Sequence, residues 1–216
     1  MKEKFLKINE LYLSLQGESS WAGLPCIFVR LSGCNLRCSY CDSSFSYKEG
    51  KEYSIEEIAE KINSYRCKLV EITGGEPLLQ ENTALLAKSL CDAGYRVLIE
   101  TNGTIDIGNV DRRVILIMDI KTPGSGSNES VRWENIKKLK KDDEVKFVLT
   151  NKKDYLWAKD IIKQYGLADR ASILISVVYG SLEPKEVAQW ILDDGLDVRF
   201  QLQLHKYIWD PEKKGV

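Results

Sequence analysis

Neither sign of charge dominates this chain. Its 31 lysines and arginines meet 32 aspartates and glutamates, for a formal net charge of −1. That excludes a domain-wide basic footprint for nucleic acid, which is held largely by neutralising phosphates. A local basic pocket for a small anion stays open. No apolar run approaches the ~18 residues of a membrane span. The opening stretch MKEKFLKINELYL carries Glu3, Asn9 and Glu10, where a signal peptide needs unbroken apolar text. A cytoplasmic protein with no membrane or nucleic-acid partner is expected, in a compartment that keeps thiols reduced. Internal repeats, low-complexity tracts and long linkers are also missing, so residues 1–216 are expected to form a single domain. Histidine is nearly absent, with His205 the only one. Against these absences stand six cysteines. In a reduced setting they read as metal ligands, reactive groups or core filler before disulfides.

Strand-like text alternates with helix-like text along most of the chain. Leu6–Leu15 and Cys26–Leu31 read as strands. Ser54 and Glu57 form the sequence of a capping box, which starts a helix over Ser54–Tyr65 with Ile55, Ile58, Ala59 and Ile62 on one face. Leu69–Ile72 is a short strand, and Pro77 opens a helix expected to run to Asp92 and stop at Gly94. Arg96–Glu100, Val114–Met118, Glu144–Leu149, Ile173–Val178 and Val198–Leu202 read as further strands. Helical stretches are expected near Glu129–Leu139, Lys153–Tyr165 and Pro184–Asp193. Such alternation predicts an α/β fold of parallel βαβ units with outer helices. The chain is short for an eight-fold barrel of ~250 residues, so a partial, open TIM-like barrel is the better expectation. Chemistry in these folds gathers at the carboxyl ends of strands. The polar clusters of this sequence fall there: Gln16-Gly17-Glu18, the loop from Cys34 to Ser43, Thr73–Pro77, Glu100–Gly103, Asp119–Lys121 and Gln201–His205. That pattern suits an enzyme.

Cys34, Cys38 and Cys41 form C-x-x-x-C-x-x-C directly after a strand. Three thiolates in so short a loop can hold one iron–sulfur cluster, leaving one iron open to a small molecule. A structural zinc site with His205 as fourth ligand, or a redox thiol pair, is the alternative. Cys26, Cys67 and Cys91 lie in strand or helix text and read as small buried hydrophobes.

On this loop the sequence resembles the radical S-adenosylmethionine (SAM) enzymes, and Thr73-Gly74-Gly75-Glu76-Pro77 looks like their Gly-Gly-Glu motif. The resemblance implies a [4Fe-4S] cluster on Cys34, Cys38 and Cys41. Its open iron chelates SAM, whose cleavage yields a 5′-deoxyadenosyl radical that abstracts hydrogen. Gly74, Gly75 and Glu76 are then cofactor positions, the glycines letting backbone approach the methionine amino group and Glu76 accepting from that group or orienting the loop. Leu15-Gln16-Gly17-Glu18, Arg30, Cys41-Asp42-Ser43, Glu100-Thr101-Asn102-Gly103 and the C-terminal QLQLHK segment narrow the likeness. Together, from residue 12 to about residue 209, they are similar to the 7-carboxy-7-deazaguanine synthases. These convert 6-carboxy-5,6,7,8-tetrahydropterin to 7-carboxy-7-deazaguanine with loss of ammonia, on the route to deazapurines such as queuosine.

The likeness implies a substrate site at Leu15, Gln16, Gly17, Arg30 and Thr73. Gln16 suits a donor–acceptor edge, Glu18 accepts from N–H groups, and Arg30 holds a carboxylate with its fork. Glu18 and Glu100 are the candidate catalytic carboxylates, and His205 is a candidate substrate contact on a strand face shared with Gln201 and Gln203. Asn102, Asp119, Ile120, Lys121 and Ser176 are candidate SAM contacts. Lys121 matches a Ser-Pro-Lys segment of relatives, from which Asp119 and Ile120 depart. Ser43 stands where relatives commonly carry a magnesium-binding threonine, and it keeps the hydroxyl that Mg²⁺ needs. Ser125-Gly126-Ser127 reads as a mobile loop. A reducing partner such as flavodoxin or ferredoxin and a homodimer are expected. The competing readings are a glycyl-radical activating enzyme acting on a protein, and a zinc-stabilised binding module without catalysis.

Overall fold

The computed structural model describes residues 4–216, so residues 1–3 of the expected domain lie outside the described residues. Nine strands form one sheet among the described residues, in the order β3-β1-β2-β4-β5-β6-β7-β8-β9. They are β1 Phe5–Leu15, β2 Pro25–Leu31, β3 Lys51–Ser54, β4 Leu69–Gly74, β5 Arg96–Thr101, β6 Ile115–Asp119, β7 Glu144–Leu149, β8 Ser172–Val177 and β9 Arg199–Phe200. β1 pairs antiparallel with β2 and β3, and every pairing from β2–β4 to β8–β9 is parallel. The sheet is open, with β3 and β9 at its edges. It is the partial TIM-like barrel that the alternation predicts.

The helices are α1 Ile55–Asn63, α2 Thr83–Asp92, α3 Lys152–Tyr165, α4 Pro184–Asp194 and the short α5 His205–Ile208. The capping box of α1 is present: Ser54 Oγ accepts from Glu57 N–H at 3.1 Å, and Glu57 Oε2 accepts from Ser54 N–H at 2.8 Å. Ile55, Ile58 and Ile62 of α1 are buried against the sheet. Each such side chain contributes about 1.5–3 kcal/mol of burial free energy.

Strand parity sorts the two faces. Val29, Val70, Ile72, Val97, Ile99, Met118, Val145 and Phe147 join the core beneath the helices. The alternate residues face inward. In β2, β4, β5 and β6 those nearer the amino ends include Cys26, Phe28, Leu69, Leu98 and Ile117, which form a second buried cluster. Towards the carboxyl ends they turn polar, with Arg30, Glu71, Thr73, Glu100, Asp119 and Lys146 lining a cavity.

Four expectations need correction. The helix from Pro77 to Asp92 is broken into a 3-10 turn, Pro77–Leu79, and α2. Gln80 stands extended between them, its side chain bonded to Lys7 N–H, Lys7 C=O and Ser32 C=O. The stretch near Glu129–Leu139 makes two 3-10 turns, because buried Asn135 is drawn into the loop after β5, donating to Gly103 C=O and Ile105 C=O. The strand expected over Val198–Leu202 shrinks to β9. The chain then leaves the sheet, with Leu204 N–H bonded to Gly17 C=O at 2.8 Å, and His205 opens α5. Gln201, Gln203 and His205 therefore share no strand face. β3, finally, was not foreseen.

Candidate active site

One cavity of about 710 Å³ occupies the carboxyl ends of the strands. Its upper wall is the loop after β2. Cys34, Cys38 and Cys41 are each half-buried there and all line the cavity. The loop is held from several sides. Gly33 N–H donates to Ser46 C=O at 2.9 Å, and Ser39 N–H donates to Ser125 C=O at 3.0 Å. Ser39 Oγ bonds Gly124 C=O at 2.8 Å. The segment around Ser125-Gly126-Ser127, expected to be mobile, thus buttresses the cysteine loop, and Ser125 is buried.

The Thr73–Pro77 segment packs beneath this loop. A Cβ on Gly74 would strike Leu31 C=O, and one on Gly75 would strike Gly33 C=O and stand 2.6 Å from Cys34 Cβ. The glycines are needed here because β4 runs against the cysteine loop. Glu76 does not line the cavity. It is fully buried and accepts from Leu78 N–H at 2.9 Å, Asn102 N–H at 2.6 Å and Thr101 Oγ1 at 2.9 Å. It ties the ends of β4 and β5 together, which is loop orientation rather than ligand contact. Burial pushes its carboxyl up to about 7. Asn102 does reach the wall, donating to Asn35 Oδ1 at 3.1 Å and lying 3.9 Å from Cys34 Sγ.

Two SAM positions fall elsewhere. Ile120 is fully buried in the helix-side core, because parity turns it away from Asp119 and Lys121, which both line the cavity. Ser176 is buried and is not among the lining residues; Val178 and Tyr179 reach the cavity beyond β8. Lys121 donates to Asp119 Oδ2 at 2.8 Å. Asp119 Oδ1 is buried without a hydrogen-bond partner among the described residues. A lone acceptor on a cavity wall fits a hydroxyl-bearing cofactor.

Substrate candidates converge on the floor. Leu15, Gln16, Gly17, Glu18, Arg30, Thr73, Glu100 and His205 all line the cavity. Gln16 is committed at both ends of its amide: Nε2 donates to Glu71 Oε2 and Oε1 accepts from Glu18 N–H at 3.0 Å. Arg30 sits in an inner strand, its Nε 2.9 Å from Glu10 and one terminal nitrogen 3.2 Å from the Tyr12 hydroxyl. Thr73 donates to Glu100 Oε2 at 3.1 Å. A Cβ on Gly17 would collide with the imidazole of His205, so only glycine lets that ring approach. Burial holds the His205 imidazole below its ordinary value. Ser43 lines the cavity with its hydroxyl 3.7 Å from Cys41 Sγ.

Sequence reasoning missed Glu10, Tyr12, Glu71 and Lys146, all of which line the cavity, as does Gln203 of the polar C-terminal stretch. Lys146 contacts Glu18 at 2.8 Å, Asp119 at 3.6 Å, and Glu100. Burial lowers its affinity for a proton, yet Glu100, Glu18 and Asp119 outweigh that and hold the ammonium well above lysine's ordinary value. Burial, then the charge of Glu100, hold the Glu71 carboxyl well above the carboxylate range. The signal for both was a charged residue at an inward parity inside an apolar strand.

A family model described as the radical SAM superfamily matches residues 28–181. The 7-carboxy-7-deazaguanine synthase of Koribacter versatilis is 44% identical over 98% of this chain and 100% of its own length. That of Chlorobaculum tepidum is 45% identical over 98% and 97%. The chain belongs to the 7-carboxy-7-deazaguanine synthase family of radical SAM enzymes. The crystal structure of QueE from Escherichia coli shares the fold, with a TM-score of 0.78 at 21% identity over 93% of this chain and 95% of that one. Membership in this radical SAM family implies a [4Fe-4S] cluster and SAM. The thiols fit the cluster in kind and place: three half-buried cysteines of one short loop line one wall of the cavity.

Proposed function

We propose that this chain converts 6-carboxy-5,6,7,8-tetrahydropterin to 7-carboxy-7-deazaguanine with loss of ammonia, as a carbon–nitrogen lyase of deazapurine biosynthesis, from one domain spanning the sequence. The observation that carries the reading is a shared cavity: three thiols on one wall, and Arg30, Glu18 and Glu100 on the floor below them. Held by Cys34, Cys38 and Cys41, the cluster with SAM supplies the hydrogen-abstracting radical. The protein's residues bind and orient the substrate and hold its protons. Glu18 and Glu100 accept from ring and amino N–H groups, and Arg30 attracts the carboxylate with the guanidinium edge that Glu10 leaves open. Asp119 Oδ1 and Asn102 meet polar groups of the cofactor.

Ser43 is the residue that would hold Mg²⁺, through its hydroxyl, to orient the substrate. Its place on the cavity wall supports this. Activity of chelator-treated enzyme should rise with added Mg²⁺, and Ser43→Ala should lose most of that response while keeping its iron. An unchanged response places the ion on other groups. A flavodoxin- or ferredoxin-type reductant, a homodimer and a cytoplasmic location complete the reading. No helix among the described residues is long and apolar enough to cross a membrane. Anaerobic turnover tests the reaction: 7-carboxy-7-deazaguanine and ammonia are expected, and cofactor cleavage without either would assign another substrate.

A further inference from the structure

On the cavity floor Lys146 stands among four acids, Glu18, Glu71, Glu100 and Asp119. Lys146 projects from the middle of β7 with its side chain only 5% exposed. Around it stand Glu71 on β4, Glu100 on β5, and Asp119 and Lys121 on β6. Glu18 follows β1, Glu144 precedes Lys146 on the same inner face of β7, and His205 of α5 and Asp42 of the cysteine loop lie beyond. The other nearby cations are engaged elsewhere: Arg30 with Glu10, Lys121 with Asp119, Lys206 with Asp42.

An ammonium has three N–H donors. Two of those of Lys146 donate to Glu100 and, at 2.8 Å, to Glu18, while Asp119 stands 3.6 Å away as an ion-pair neighbour. Both of its hydrogen bonds go to Glu18 and Glu100, and Asp119 lies beyond hydrogen-bond range, so Lys146 acts through the two acids it grips. Each of the two floor acids is also held at its other oxygen. Gln203 donates to Glu18 Oε1 at 2.8 Å, and Thr73 donates to Glu100 Oε2 at 3.1 Å. Both carboxylates are therefore fixed in orientation, and each bonded oxygen keeps a further lone pair.

We propose that Lys146 is a positioning residue that fixes Glu18 and Glu100 as a paired acceptor for the N–H groups along the pyrimidinone edge of the substrate. This rests on the substrate reading above. It adds a division of labour: the acids read the heterocycle, and the lysine holds both in place and keeps Glu18 an acceptor. Burial favours the protonated form of Glu18, and Lys146, then Gln203, reverse that and hold it below the usual carboxylate range. Remove the lysine and burial loses its largest opponent, leaving mainly the Gln203 hydrogen bond against it. Glu18 then takes up a proton, and a protonated carboxyl presents a donor where the ligand also presents one.

The test is binding of 7-carboxy-7-deazaguanine to the cluster-loaded, SAM-bound enzyme, followed by anaerobic calorimetry from pH 6 to 8. Affinity of the parent is expected to be level across this range. Lys146→Met should bind at least about tenfold more weakly at pH 6 and recover as pH rises, by up to roughly tenfold per pH unit while one carboxylate must ionise first. Lys146→Arg keeps the charge and should keep the level profile. The ligand's own titration is common to all three proteins. A purely structural lysine would lower affinity by the same factor at every pH, and that result overturns the proposal. Should Lys146→Met fail to fold, Lys146→Met combined with Glu100→Gln removes one charge of each sign and leaves Glu18 again without its cation. The same rise with pH is expected of it, and a level profile overturns the proposal. Failure of the parent to bind overturns the substrate reading, and this inference falls with it. A binding parent beside a pH-level Lys146→Met overturns the inference alone.

Discussion

Cys26 and Cys38 are both thiols close to β2, yet their loss should have different consequences. Cys26 is fully buried against Phe28, Leu69, Leu98 and Ile117, and burial holds its thiol in the neutral form. Cys26→Ala leaves a small cavity and should cost about 1–2 kcal/mol in a denaturant melt, with iron content unchanged. Cys38 lines the active-site cavity. Cys38→Ala removes one of three anchors and should abolish both stable iron loading and SAM cleavage; retained activity would overturn the cluster assignment. Arg30 has a more particular prediction, because Glu10 already occupies its Nε. Arg30→Ala removes the attraction for the substrate's carboxylate and leaves the part-buried carboxylate of Glu10 facing it. Product affinity should fall by about 2–4 kcal/mol while iron content survives. An unchanged affinity would make Arg30 only the partner of Glu10.

At the scale of elements, Glu76 joins two strand ends, and its environment predicts a pH dependence. Its carboxyl is raised from the ordinary value of 4.5 to about 7 by burial, against the bonds from Asn102, Leu78 and Thr101. A raised acid binds its proton more tightly in the folded chain. Its contribution to stability is therefore present below about pH 4.5 and is lost as pH rises through about 7. Glu76→Gln should remove that slope, at most about 1.4 kcal/mol per pH unit, from anaerobic denaturant midpoints measured between pH 5 and 8. An unaltered slope would assign it to other groups, Glu71 first. Elements with local signals were legible in the sequence: the Ser54–Glu57 box, Gly94 just past the end of α2, and the largely apolar β4, β7 and β8. Elements decided by distant partners were not. Gln80 breaks a helix by bonding to Lys7 and Ser32, and Asn135 unmakes another by bonding to the loop after β5. The candidate site divides the same way. Motif residues at strand ends were legible, whereas Glu71 and Lys146 lie inside strands, where only inward parity marks them.

Across the whole molecule, the inner face of the sheet changes character along its strands, from Phe28, Leu69, Leu98 and Ile117 to Arg30, Glu71, Glu100 and Lys146. The apolar end supports the polar end, and the cysteine loop roofs it, buttressed by Ser125 and Gly124. This arrangement brings the candidate cofactor and substrate residues to one cavity, and the proposed function predicts that their losses separate cleanly. The most direct measurement is anaerobic turnover of iron-reconstituted parent, Cys38→Ala and Arg30→Ala with 6-carboxy-5,6,7,8-tetrahydropterin, SAM and a reductant, counting 5′-deoxyadenosine, ammonia and 7-carboxy-7-deazaguanine by mass. The parent should release ammonia and deazapurine in equal amounts. Cys38→Ala should form none of the three, and Arg30→Ala should still cleave the cofactor while making little deazapurine. A parent that cleaves SAM but forms neither ammonia nor the deazapurine would contradict the proposed function.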